Sequence, residues 1–108
     1  MILTADLNEI GIKITDIERI HQVFQLFPEI EKVVLFGSRE IGNYKPFSDL
    51  DLTLIGKELN LTIQQKLETE LDNFLLPFTF DISIYDQIKN VEFLDHINRI
   101  GKDFYINK

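Results

Sequence analysis

The chain has 108 residues and a mass of 12.7 kDa, the size of one domain spanning residues 1–108 and able to bury a core without a disulfide or metal staple. Its 18 acidic and 11 basic residues leave a formal charge of −7, and with no run of Lys or Arg that balance argues against autonomous nucleic-acid binding, since phosphate contacts need positive charge. It has no Cys for a disulfide or a Cys-based zinc site, no apolar run near the roughly 20 residues of a membrane helix, and no signal-peptide pattern at Met1–Asp6, so a cytoplasmic protein away from membranes is expected.

The first predicted helix runs from Thr15 to Phe27. Thr15-Asp16-Ile17-Glu18 reads as a capping box, Ile17, Ile20, Phe24 and Phe27 follow at helical spacing, and Pro28 ends the run. Lys32–Phe36 is β-branched and apolar, the pattern of a buried strand. Gly37-Ser38 stops it, and a polar stretch from Arg39 to Ser48 follows. Asp49–Ile55 alternates Leu50, Leu52 and Leu54 with Asp49, Asp51 and Thr53, which predicts a second strand.

Thr62-Ile63-Gln64-Gln65 reads as another capping box, opening a helix with Ile63, Leu67, Leu71, Phe74 and Leu75 inward and Pro77 beyond its end. A third strand is expected over Phe78–Tyr85, with Phe78, Phe80, Ile82 and Ile84 on one face and Thr79, Asp81, Ser83 and Tyr85 on the other. Asn90 is the expected N-cap of a last helix with Val91, Leu94 and Ile97 inward and Gly101 as its stop. Asp103–Lys108 fits a short edge segment. This order predicts an α/β (α+β) domain: a small sheet with helices packed on one side.

Two features depart from core logic. Gly37-Ser38 follows a buried strand, where a glycine lets backbone approach a ligand, the next N–H groups suit an anion, and Arg39 adds a fork of donors. The same residues also fit a plain structural turn. In Ser48-Asp49-Leu50-Asp51-Leu52, the intervening Leu sends Asp49 and Asp51 to one face, with Cα atoms roughly 6.5–7 Å apart. Like charges on one strand face repel, so the pair asks for a hard cation such as Mg²⁺, or else lies on a solvated edge. Asp81 sits on the polar face of the third strand. If that strand lies beside the second, three carboxylates converge, which fits two-metal phosphoryl or nucleotidyl transfer.

These residues resemble the signature of the DNA polymerase β-like nucleotidyltransferases, in particular the minimal, or MNT, group. Val34-Leu35-Phe36-Gly37-Ser38-Arg39, then Gly42, then Ser48-Asp49-Leu50-Asp51-Leu52 is similar to the group's apolar strand, Phe-Gly-Ser-Arg, Gly-containing loop and Ser-Asp-x-Asp-Leu. Asp81 stands where the group's third carboxylate is expected, whereas Glu40 and Ile41 replace the small or basic residues often found after Gly-Ser-Arg. The resemblance implies the polymerase β-like fold with a small mixed sheet, ATP or another NTP bound through Gly37, Ser38 and Arg39, and two Mg²⁺ ions (Mn²⁺ as a substitute) on the catalytic Asp49, Asp51 and Asp81. A hydroxyl would attack the α-phosphate and pyrophosphate would leave. It further implies a HEPN-type helical partner in a toxin–antitoxin pair, with this chain as the antitoxin that adds AMP to a Tyr of the toxin.

Two other functions are compatible with the sequence: a non-catalytic module that neutralises its partner by binding alone, and a nucleotidyltransferase acting on a small molecule such as a drug. The intact Gly37-Ser38 and three Asp favour an enzyme, and the short chain leaves no room for an acceptor domain of its own. Neither His21 nor His96 has a metal-ligand partner at i+4, and both are expected at the surface or half-buried. Tyr44 and Lys45 lie in the loop between the two motifs, within reach of a substrate or simply facing solvent, and Phe47 flanks the acidic motif, where it could shield a base or pack under the loop.

Overall fold

Helix α1 spans Ile14–Gln25 and turns Ile17, Ile20 and Phe24 inward as their spacing predicts, with His21 and Val23 buried beside them. It starts one residue before Thr15: Lys13 is the N-cap and its carbonyl accepts from the Ile17 N–H at 3.0 Å. Thr15 therefore lies within the first turn, and no side chain caps this end. The computed structural model describes residues 13–36, 50–74, 76 and 79–107. Strand β1 is Lys32–Phe36 and β2 is Leu50–Ile55.

Helix α2 spans Leu61–Asp72, and its cap is Asn60, whose side-chain oxygen accepts from the Ile63 N–H at 2.9 Å. The Asn side chain reaches the third helical N–H from its extended position, so the box expected at Thr62 does not form. Strand β3 is Phe80–Ile84; Tyr85 opens a short 3₁₀ turn, Tyr85–Gln87, rather than extending the strand. Leu75, Pro77 and Phe78 lie outside the described residues. Helix α3, Val91–Ile100, is capped as expected by Asn90, which accepts from the Phe93 N–H at 3.1 Å, and stops at Gly101. Strand β4 occupies Lys102–Ile106.

The sheet order is β3-β2-β1-β4. β1 is antiparallel to both β2 and β4, and β2 is parallel to β3, so the sheet is small and mixed as expected. One face carries Val33, Leu35, Leu50, Leu52, Leu54, Ile82 and Ile84, which pack with the inward residues of α1 and α2 in one core. Not every helix packs on that side. Val34 and Phe36 point to the opposite face by strand alternation and meet α3: Phe36 and Phe93 lie 5.4 Å apart, edge to face, and Ile97 is buried beside them. The inward face of α3 therefore carries Phe93 and Ile97, whereas Val91, expected inward, is exposed. Gly101 makes the close packing possible, since a Cβ there would stand 2.5 Å from both the Ile97 carbonyl oxygen and Val34 Cγ1.

His21 departs most from expectation. It is fully buried among Phe24, Phe104 and Tyr105. Val33 pairs with Tyr105 and Val34 with Asp103, so Phe104 is an extra residue in β4, a bulge that lets Phe104 and Tyr105 both enter the core. His21 Nε2 donates to the Phe104 carbonyl at 2.7 Å, while Nδ1 is buried without a partner. Burial holds the His21 pKa below its ordinary value of 6.5, opposed by the bond to Phe104, which favours the charged form.

Because the unfolded chain takes up this proton more readily than the folded one, the stabilisation is complete above the unfolded value and is lost as pH falls below it. Urea unfolding is expected to show a lower midpoint near pH 5.5 than near pH 7.5. The difference should shrink in His21→Gln, which retains an N–H donor and cannot be protonated.

Candidate active site

Leu50, Leu52 and Leu54 are each fully buried, so alternation along β2 must send Asp51 and Thr53 to the other face of the sheet. The parallel register sets Leu50 against Phe80, Asp51 against Asp81, Leu52 against Ile82 and Thr53 against Ser83. Asp51 and Asp81 thus stand side by side on adjacent strands, about 4.8 Å apart at the backbone by ordinary sheet spacing. Asp51 is half-buried and Asp81 exposed. On the other side of Asp51, the register partner is Phe36, the residue before Gly37 in the chain.

The carboxylates share their face with α3, which covers Val34 and Phe36 and so walls the β1 side. Tyr85 ties the turn after β3 to this helix through its hydroxyl, which donates to Asn98 Oδ1 at 3.0 Å. Between β2 and β3, the fully buried Thr53 hydroxyl donates to the Ser83 carbonyl at 3.5 Å and the Ser83 hydroxyl to the Leu52 carbonyl at 3.4 Å, both long contacts. A hollow of about 510 Å³ beside Leu26, Phe27 and Thr69 lies between α1 and α2 and holds neither carboxylate.

The structure therefore brings together Asp51 and Asp81. Gly37, Ser38, Arg39 and Asp49 lie outside the described residues, as do Tyr44, Lys45 and Phe47. Among the described residues no three His, Cys, Asp or Glu side chains gather as a metal site. Two adjacent carboxylates are nevertheless oxygen donors of the type that Mg²⁺ accepts, and a third from Asp49 is two residues from Asp51 in the sequence. His96 is exposed as expected, and the buried His21 contacts α1 and β4 neighbours, not this face. Reading the sequence missed α3 as a wall of the site; its signal was the adjacent apolar pair Val33 and Val34, which must face opposite ways.

The sequence model of the polymerase β nucleotidyltransferase family matches residues 18–108. The chain belongs to this family. No curated protein matches it. Among solved structures it is similar to a toxin–antitoxin with AMP-PNP, at a TM-score of 0.68 and 18% identity over 85% of this chain and 74% of that one. It is similar as well to the complex of the tri-AMPylated Shewanella oneidensis HEPN toxin with MNT antitoxin, at 0.62 and 16% over 86% and 71%. A Sulfolobus solfataricus protein assigned as a nucleotidyltransferase aligns at 0.52 and 19% over 96% and 86%. These identities show a shared fold. No helix among the described residues is long and apolar enough to cross a membrane.

In this nucleotidyltransferase domain the facing carboxylates carry an electrostatic cost of their own, since like charges opposed across strands destabilise a sheet. Without metal, Asp81→Asn is expected to raise stability by about 0.5 kcal/mol. Thermal melts in the presence of a chelator measure it, and a fall in melting temperature would show that Asp81 is held by favourable contacts instead.

Proposed function

We propose that this domain is an Mg²⁺-dependent enzyme that transfers AMP from ATP to a hydroxyl on a partner polypeptide, a Tyr of a HEPN-type protein, and acts as the antitoxin of that pair. The observation that carries the reading is the register that sets Asp51 beside Asp81 in a nucleotidyltransferase domain whose sequence also holds Gly37-Ser38 and Asp49 at the family's spacing. The likeness to a HEPN toxin–MNT antitoxin complex and to a toxin–antitoxin with AMP-PNP supports the partner and the donor.

In this reading Gly37 and Ser38 offer backbone and hydroxyl donors to the phosphates, and Arg39 adds its guanidinium fork. Asp49, Asp51 and Asp81 would hold two Mg²⁺ ions, or Mn²⁺ in their place. Held there, such cations would neutralise charge at the phosphates and lower the pKa of the attacking hydroxyl. The hydroxyl oxygen bonds to the α-phosphorus as the bond to pyrophosphate breaks, and Asp81 takes the hydroxyl proton. The acceptor hydroxyl is supplied by a second polypeptide, and the charge of −7 favours a basic partner surface. A cytoplasmic location, where ATP is at hand, fits the donor.

Incubation of the chain with Mg²⁺, ATP labelled at the α-phosphate and a HEPN-type partner is expected to label the partner. Asp49→Asn and Asp51→Asn should each reduce labelling to background while the circular dichroism spectrum stays that of the folded domain. Labelling that survives both changes removes the carboxylates from the chemistry. A wild-type chain that transfers nothing yet still inhibits the toxin would make it a module that neutralises by binding alone.

A further inference from the structure

β3 carries Asp81, yet it is an edge strand of the described sheet, with β2 its neighbour among the described strands. Parallel pairing is the slightly weaker kind, and this register sets two carboxylate side chains opposite each other. The backbone of β3 shows how the strand is held. The Thr79 carbonyl accepts from the Leu50 N–H at 2.9 Å, so Thr79 turns its polar backbone toward β2, and by alternation Asp81 and Ser83 do the same. Ile82, between them, therefore presents its carbonyl to the outer edge. That carbonyl is not left to solvent: Gln64 Nε2, from α2, donates to it at 2.9 Å in a partly buried bond.

We infer that Gln64 is a positioning residue for the carboxylate pair: its bond to the Ile82 carbonyl anchors the edge strand from outside and keeps Asp81 beside Asp51. The inference rests on the reading of Asp51 and Asp81 as cation ligands. Gln64 itself does not touch the reacting groups. It comes from the helix on the core side of the sheet and acts through the backbone one residue from Asp81. The long hydroxyl contacts of Thr53 and Ser83 lie on the inner side of β3, and the short Gln64 bond adds a restraint on its outer side.

The test uses the full chain and Gln64→Met, which keeps the length of the side chain and removes the donor. Two readings are taken well below the melting temperature: hydrogen exchange of the Asp81 and Ser83 amides, which face β2, without metal, and the affinity for Mn²⁺ alone by electron paramagnetic resonance. Exchange at these amides is expected to quicken about fivefold while that of β1 is unchanged. Mn²⁺ affinity is expected to fall about tenfold. A purely structural role would speed exchange throughout the sheet and leave the Mn²⁺ affinity of the folded protein unchanged, and either result overturns the inference. If the wild-type chain binds no Mn²⁺, the cation reading fails and the role in metal binding with it, while the exchange data still decide whether Gln64 anchors β3. Should Gln64→Met fail to fold, Gln64→Asn, one methylene short of the carbonyl, takes the same two measurements.

Discussion

The burial of three leucines on one side of β2 is the constraint on which the rest of this structure depends. Leu50, Leu52 and Leu54 have no solvent exposure, and together they fix which way every other residue of the strand must point. Each fully buried leucine contributes on the order of 2 kcal/mol by its removal from water. A slip of one residue would turn that row to the wrong face and carry Asp51 into the apolar core. Placing the carboxylate is thus a by-product of packing: the hydrophobic effect sets the strand's rotation, and the acid takes the face that remains. The same logic on β3, with Ile82 and Ile84 buried, puts Asp81 in the matching position.

Much of this was legible in the chain itself. Strict alternation in 50–55 and 80–84 revealed both the strands and their polar faces, and the Asn90 and Gly101 signals marked the ends of α3. Helix starts were less legible at Thr15 and Thr62. A Thr-x-x-Glu or Thr-x-x-Gln pattern describes only one of several local ways to satisfy free N–H groups, and a neighbouring Asn60 or an uncapped Lys13 served instead. The side taken by α3 depends on long-range packing: the adjacent Val33 and Val34 show that both faces of β1 are covered, but not by which helix. Phe93 and Ile97 read as an ordinary apolar stripe until they meet Phe36 and Val34 across the sheet.

His21 shows a different limit. A histidine in a helix reads as polar, and its burial among Phe104 and Tyr105 goes with the bulge in β4, which no local pattern announces. The bulge frees a carbonyl that a regular ladder would engage differently, and a buried carbonyl must find a donor. The imidazole meets that need on one nitrogen and leaves the other without a partner in the core. As for the candidate site, the pairing of Asp51 with Asp81 was inferable because period-two patterns transmit register reliably once two strands are neighbours. Their being neighbours was the conditional step, and the order β3-β2-β1-β4 meets it.

The bulge has a consequence for how the protein behaves in a crowded solution. In the described sheet β4 is an outer strand, and a flat outer strand is a template on which a second chain can add its own. An extra residue twists that border and spoils the regular spacing of donors and acceptors that a foreign strand would need. The His21 bond holds the twist in place. Protonation in acid adds a proton at Nδ1 and leaves Nε2–H donating, so the bond and the twisted border outlast the loss of stability, and unfolding rather than strand addition at this border is the first visible failure of the domain.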